Sequence, residues 1–218
     1  MQNKWHHIKN KLVNYWQHEP PDHYLGYVVE GKPPVIILAG ITHTWRMLRK
    51  FGDLISLKGY PVYIVPSLGH NFTDIAKSAR LVGEVIDKNN LTNIIIVGHS
   101  KGGLIGKYLL LDEKYDNAIK VIIAIATPFA GGKLAKLVPH KSYRELSPNS
   151  KLLKKLQENN SANSKIVSIF PQFDPLIWSK ESSYLEGAKN IELDKKGHDA
   201  IITDLDAIQE VIKQIESS

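Results

Sequence analysis

Ile94-Ile95-Ile96-Val97-Gly98-His99-Ser100-Lys101-Gly102-Gly103-Leu104 is the stretch on which the fold of this chain turns. Four consecutive β-branched aliphatic residues mark a strand buried on both faces, and Leu104 to Leu111 then takes up helical spacing. Between them Gly98-His99-Ser100-Lys101-Gly102 fits the pattern Gly-x-Ser-x-Gly. A strand must here turn sharply into a helix with a serine at the apex. Side chains flanking so tight an elbow would collide with neighbouring backbone, and Gly103 adds clearance. The helix points its N-terminus at the serine, where free N–H groups favour a developing oxyanion. The alternative, a structural turn with an idle serine, is disfavoured by the strand before it and the helix after it.

Similar runs recur on either side of the elbow. Val35 to Leu38, Val62 to Val65, Val121 to Ile125, Ile166 to Ile169 and a weaker Ile191-Glu192-Leu193 read as five further strands. Helical spacing separates most of them: Leu48, Leu54, Ile55 and Leu57 closing at Gly59, and Ile75, Ala79, Val82 and Ile86 after the cap candidate Thr73. Alternation of this kind predicts an α/β fold: a mostly parallel sheet of about six strands, helices on both faces, and functional loops at the carboxyl ends of the strands.

A serine hydroxyl is a weak nucleophile and needs a base, itself oriented by a carboxylate. Asp174 follows the strand Ile166 to Ile169, and His198 follows the weakest strand, so the chain order is serine, acid, histidine. Taken singly, Asp174 is also explained as a turn residue before Pro175, and His198 as a loop histidine. Asp194, four positions before His198, is a substitute acid. Asp199 reads as the N-cap of a final helix with a stripe of Ala200, Ile201, Leu205, Ile208 and Ile212. An oxyanion hole would combine the N–H of Lys101 with one from the loop after Val35 to Leu38, where Gly40 lets the chain turn and leaves the N–H of Ile41 to point inward. His43 and His70 follow other strands and are candidates to line a pocket; His99 is expected to support packing.

The chain has 218 residues, 43% of them hydrophobic, enough for one buried core, and one domain over 1–218 is expected. Without cysteine there is no disulfide framework, thiolate zinc site or cysteine nucleophile. The start lacks an apolar h-region and no apolar run approaches membrane-spanning length, so a cytoplasmic location is expected. Residues 1–22 form an N-terminal extension in which Trp5, Ile8, Leu12 and Tyr15 or Trp16 share one side of a helix over Lys4 to Gln17, more readily packed on the core than on a membrane. The net charge of +6 has a local source: Gly131 to Lys155 holds seven basic residues and one acid. That stretch fits a solvated face or a peripheral contact with an anionic membrane surface. Its one aromatic residue, Tyr143, is too few to stack nucleic-acid bases, and no nucleic-acid partner is expected. Within it, Ser147-Pro148-Asn149 reads as the start of a helix carrying Leu152, Leu153 and Leu156. Nucleotide-loop and His-Glu-x-x-His motifs are missing.

From about Pro33 to the last helix, the chain resembles the α/β-hydrolase family, in particular its small lipases and esterases. Gly98-His99-Ser100-Lys101-Gly102-Gly103 resembles the family's nucleophile elbow, Ala126-Thr127-Pro128-Phe129-Ala130-Gly131 its segment after the next strand, Asp174-Pro175 its acid loop and Gly197-His198-Asp199 its histidine loop. One departure is that many members carry His-Gly where this chain has Ala39-Gly40. The resemblance implies an α/β-hydrolase fold with an acyl-enzyme on Ser100, His198 as base, Asp174 as its orienting acid, and neither metal nor organic cofactor. It also implies a small lid over about 129–160, with Phe129, Leu134, Leu137 and Val138 beneath it. Gly40, His43, Trp45, Phe129, Leu176, Ile177 and Trp178 are the pocket candidates, ordinary core packing being the alternative for each. A small-molecule or lipid ester is the implied substrate. The same triad also serves thioesters, lactones or acyl transfer, and a catalytically idle binding protein is the remaining alternative.

Overall fold

A computed structural model of the protein describes residues 19–132, 135, 138, 140–177 and 180–218. The helix expected over Lys4 to Gln17 lies outside the described residues, as do Lys133, Leu134, Lys136, Leu137, Pro139 and Trp178. Six strands, β1 (Val35–Leu38), β2 (Val62–Tyr63), β3 (Ile94–His99), β4 (Ile119–Ile125), β5 (Ile166–Phe173) and β6 (Lys189–Lys196), form one sheet in the order β2-β1-β3-β4-β5-β6. Neighbouring strands are parallel throughout. The chain steps from β1 outward to β2 and then returns to the other side of β1 as β3. That reversal opens a crevice beyond the carboxyl ends of β1 and β3, where open α/β sheets bind ligands.

The described helices are α1 (His23–Gly26), α2 (Arg49–Leu57), α3 (Ile75–Lys88), α4 (Lys101–Leu109), α5 (Glu113–Ala118), α6 (Lys141–Glu145), α7 (Lys151–Glu158) and α8 (Leu205–Glu216). Strand alternation divides the core in two. Ile36, Leu38, Ile94, Ile96, Ile122 and Ala124 pack on one face against α3, α4 and α7, while Val35, Ile37, Ile95, Val97, Ile123 and Ile125 pack on the other against α2 and α8. No described helix is long and apolar enough to cross a membrane.

Element ends differ from the sequence reading for local reasons. β2 stops at Tyr63, and the chain soon winds into a 3₁₀ turn begun by Pro66. β5 and β6 run longer than their aliphatic runs, paired across an irregularity between Pro171 and Phe173; as an edge strand, β6 needs few buried side chains. Asp74, not Thr73, caps α3 by accepting from the Lys77 N–H at 2.8 Å. Ser150 rather than Ser147 caps α7, whose buried Leu153 and Leu156 leave Lys151, Lys154 and Lys155 exposed. Asp204, not Asp199, caps α8, because a 3₁₀ turn over Ala200–Ile202 intervenes, and Leu205 is exposed rather than part of the stripe.

Two lysines of α4 are fully buried, an arrangement that hydrophobic spacing does not foretell. Lys107 Nζ donates to Asn163 Oδ1 at 2.7 Å above the Phe129 ring, and Asn163 Nδ2 donates to the Glu186 carbonyl. Burial lowers the Lys107 ammonium to about 8, and burial likewise lowers Lys101 to about 8 against the opposing pull of Glu145 and Asp74. The unfolded chain, whose lysines keep an ordinary value near 10.5, therefore binds more protons than the folded one between pH 8 and 10.5. Burial also raises the Tyr24 phenol, which opposes this above pH 10. Urea unfolding is expected to show stability rising from pH 8 to about 9.5, with a smaller rise in Lys107→Met; a flat or falling profile in the wild type would refute the burial argument.

Candidate active site

Ser100 sits where β3 gives way to α4, with φ 53° and ψ −118°, a conformation that only a well-braced turn holds in a non-glycine residue. Its N–H donates to the Ile125 carbonyl of β4 at 2.8 Å, tying the elbow to the next strand. A Cβ on Gly98 would lie 2.6 Å from the Gly102 carbonyl carbon and the Gly103 nitrogen, and one on Gly102 would collide with the Leu38 carbonyl. α4 therefore reaches β1 only because these positions are bare. The Lys101 N–H opens α4 and has no acceptor within the helix.

His198 and Asp174 come from separate loops. Asp174 directly follows β5 and is 4% exposed, while His198, after β6, is 8% exposed. His198 Nδ1 donates to Asp174 Oδ2 at 2.6 Å. The second oxygen of Asp174 accepts from the Leu176 and Ile177 N–H groups at 2.9 and 3.1 Å, so the carboxylate is held on both sides. The Gly197 N–H donates to the Phe173 carbonyl at 2.9 Å, and a φ of 107° at Gly197 turns the chain to bring His198 inward. Asp194 lies on β6 itself and is exposed.

Ser100 and His198 open into one cleft of about 280 Å³. Of the pocket candidates, Gly40, His43, Leu176 and Ile177 line it, as does Ile41. Trp45 and Phe129 do not. Trp45 lies in the neighbouring groove with His70, its ring edge-on to Tyr24, and Phe129 is buried in the core beneath α7. Each is drawn away by large apolar neighbours. The cleft's other wall comes from the region expected to form a lid: Ala135, Val138, Tyr143 and Leu146, with Pro128 and Gly132 at its base.

Local patterns do not disclose the polar frame behind the cleft. Asn71, buried, donates from Nδ2 to the Ala39 carbonyl at 2.7 Å and bears on the loop carrying Gly40 and Ile41. Lys101 Nζ donates to the carbonyls of Asn71 (2.8 Å) and Thr73, and Ser142 Oγ of α6 donates to the Phe72 carbonyl. Glu145 of α6 accepts from the Ile75 N–H at 2.9 Å. One lysine beside the serine thus anchors the loop that braces the segment after β1, and α6 is pinned to the same loop. Behind Ser100, His99 is 1% exposed; its Nε2 donates to the His198 carbonyl at 3.2 Å. Burial, with His198 and His43 nearby, pushes the His99 imidazole well below the usual histidine range.

Comparisons with known proteins bear on the fold. A structure search returned Aspergillus fumigatus lipase B, 21% identical with a TM-score of 0.67 over 77% of this chain, which spans 46% of that protein. It also returned the mature form of a Bacillus licheniformis lipase, 14% identical with a TM-score of 0.70 over 88% of this chain and 95% of that one. The enol-lactonase of Burkholderia xenovorans LB400 is 14% identical with a TM-score of 0.65 over 86% of this chain and 92% of that one. At such identities the likeness is one of fold. A search of curated protein sequences found no match. The family profile described as alpha/beta hydrolase fold matches residues 33–161, more than half the chain, and the protein belongs to the α/β-hydrolase family.

Proposed function

We propose that this protein is a serine hydrolase of carboxylic esters with a short acyl group, working through Ser100, His198 and Asp174. The observation that carries the reading is the meeting, in one mostly apolar cleft, of an elbow serine and a histidine whose far nitrogen is bonded to a buried carboxylate. In the reaction proposed, His198 Nε2 takes the Ser100 proton as Oγ attacks the ester carbonyl, and Asp174 keeps Nδ1–H in place and steadies the imidazolium. The N–H groups of Lys101 and Ile41 receive the oxyanion. The tetrahedral intermediate collapses, the alcohol leaves with the proton from His198, and water activated by the same imidazole then releases the acid and frees Ser100.

Size supports the substrate class. A cleft of about 280 Å³ lies just below the usual range for small-molecule sites and is of a size to hold a compact ester. Its apolar lining by Ile41, Val138, Leu146 and Ile177 suits an uncharged acyl group. The structural neighbours include a lipase and an enol-lactonase, which is compatible with this chemistry. We place the protein in the cytoplasm and read the exposed lysines of α7 as a solvated face rather than a membrane contact.

Intact-mass analysis after fluorophosphonate treatment is expected to show one adduct on the wild type and none on Ser100→Ala. Folded wild type without an adduct would favour the idle binding protein instead. Turnover of p-nitrophenyl esters is expected to fall about 10⁴-fold or more in Ser100→Ala, and to decline in the wild type as the acyl chain lengthens from acetate and butyrate towards decanoate. In Asp174→Asn, kcat is expected to fall about 10³- to 10⁴-fold with KM little changed. A KM effect without a kcat effect would remove Asp174 from the triad.

A further inference from the structure

We infer that His43, His99 and Asp199 form a site for one borderline divalent transition ion, of which zinc is the type, clasping the loop after β1 to the loop after β6. One ligand atom from each of the three lies within 4.8 Å of the others, although 56 and 100 positions separate them along the chain. The Asp199 carboxylate sits between two imidazoles, Oδ2 at 3.6 Å from His43 Nε2 and Oδ1 at 3.8 Å from His99 Nε2. Both distances exceed hydrogen-bond reach. Asp199 Oδ1, one of the proposed ligand atoms, is buried without a hydrogen-bond partner among the described residues. The His43 and His99 rings are nearly parallel, 23° apart with centroids at 6.0 Å, and both turn an Nε2 edge towards Asp199.

Tetrahedral zinc bonds of about 2.0–2.1 Å place adjacent ligand atoms about 3.3 Å apart. The two carboxylate–imidazole distances, each to a different oxygen of Asp199, are within about half an ångström of that, and with one ligand atom per residue the three lie within 4.8 Å of one another. His43 and Asp199, both partly exposed and on loops, have room to close the remaining gap, whereas His99 is fixed in the core. Binding moves the His99 proton from Nε2 to Nδ1, so the ion takes the nitrogen that now donates to the His198 carbonyl. That carbonyl oxygen, 3.2 Å from Nε2, is then in place as a fourth ligand. Two imidazoles and one carboxylate favour zinc, cobalt, nickel or copper over magnesium and calcium. An ion so held ties β1, β3 and β6 together at their carboxyl ends.

The test does not require ester turnover, so its failure is separable from failure of the proposed reaction. Untagged protein stripped with a chelator is titrated with Co²⁺, and zinc is followed by thermal unfolding. One equivalent of cobalt is expected to give visible d–d absorption that zinc abolishes, and zinc is expected to raise Tm by several degrees while magnesium does not. Both effects are expected to weaken at least tenfold in affinity in His43→Ala and in Asp199→Ala, each checked for native circular dichroism. No stoichiometric absorption in the wild type, or a signal that survives both substitutions, overturns the proposal. The second result would point to other histidines, such as His6 and His7.

Discussion

The close approach of α4 to β1 is the constraint from which the site follows. For β3 to end in Ser100 and reverse at once into a helix, the backbone at Gly98 must pass over Gly102 and Gly103, and Gly102 must touch the Leu38 carbonyl. No side chain larger than hydrogen fits between them. The bond from the Ser100 N–H to β4 then holds the serine in its strained conformation, and the packing of Leu104 and Ile105 into the sheet keeps the helix from relaxing outward. Strain at one residue is sustained by burial at many.

The rest of the site hangs on the same end of the sheet. Parallel strands deliver all their carboxyl ends to one edge, so the loop after β1, the elbow after β3, the acid loop after β5 and the histidine loop after β6 converge without any being long. Convergence alone does not give alignment. Asp174 is fixed by two backbone N–H groups before it meets His198, and Asn71 and Lys101 brace the segment after β1 from behind. Burying the Lys101 ammonium costs solvation, and its bonds to two backbone carbonyls offset part of that cost.

Much of the architecture was legible in the sequence because it rests on local rules. Doubly buried strands must be continuous runs of Val and Ile, and glycines at a strand–helix elbow answer a steric demand made by residues a few positions away. Helix starts were less legible: Thr73, Ser147 and Asp199 all carry capping chemistry, yet Asp74, Ser150 and Asp204 do the capping, because backbone geometry chooses among neighbouring acceptors. Trp45 and Phe129 have the apolar character of pocket residues but face other apolar partners, a choice that composition cannot register.

The sequence by itself determined the order of strands and helices, the position of the elbow, and the supply of an acid and a histidine after later strands, since each depends on spacing within a few residues. Only the tertiary structure decided which carboxylate reaches His198, that Asp199 sits between His43 and His99, and that Asn71 and two buried lysines carry the polar frame. The physical reason is range. Hydrophobic periodicity is a local property of the chain, whereas a hydrogen bond or a cluster of ligand atoms depends on distances set by packing of segments far apart in sequence.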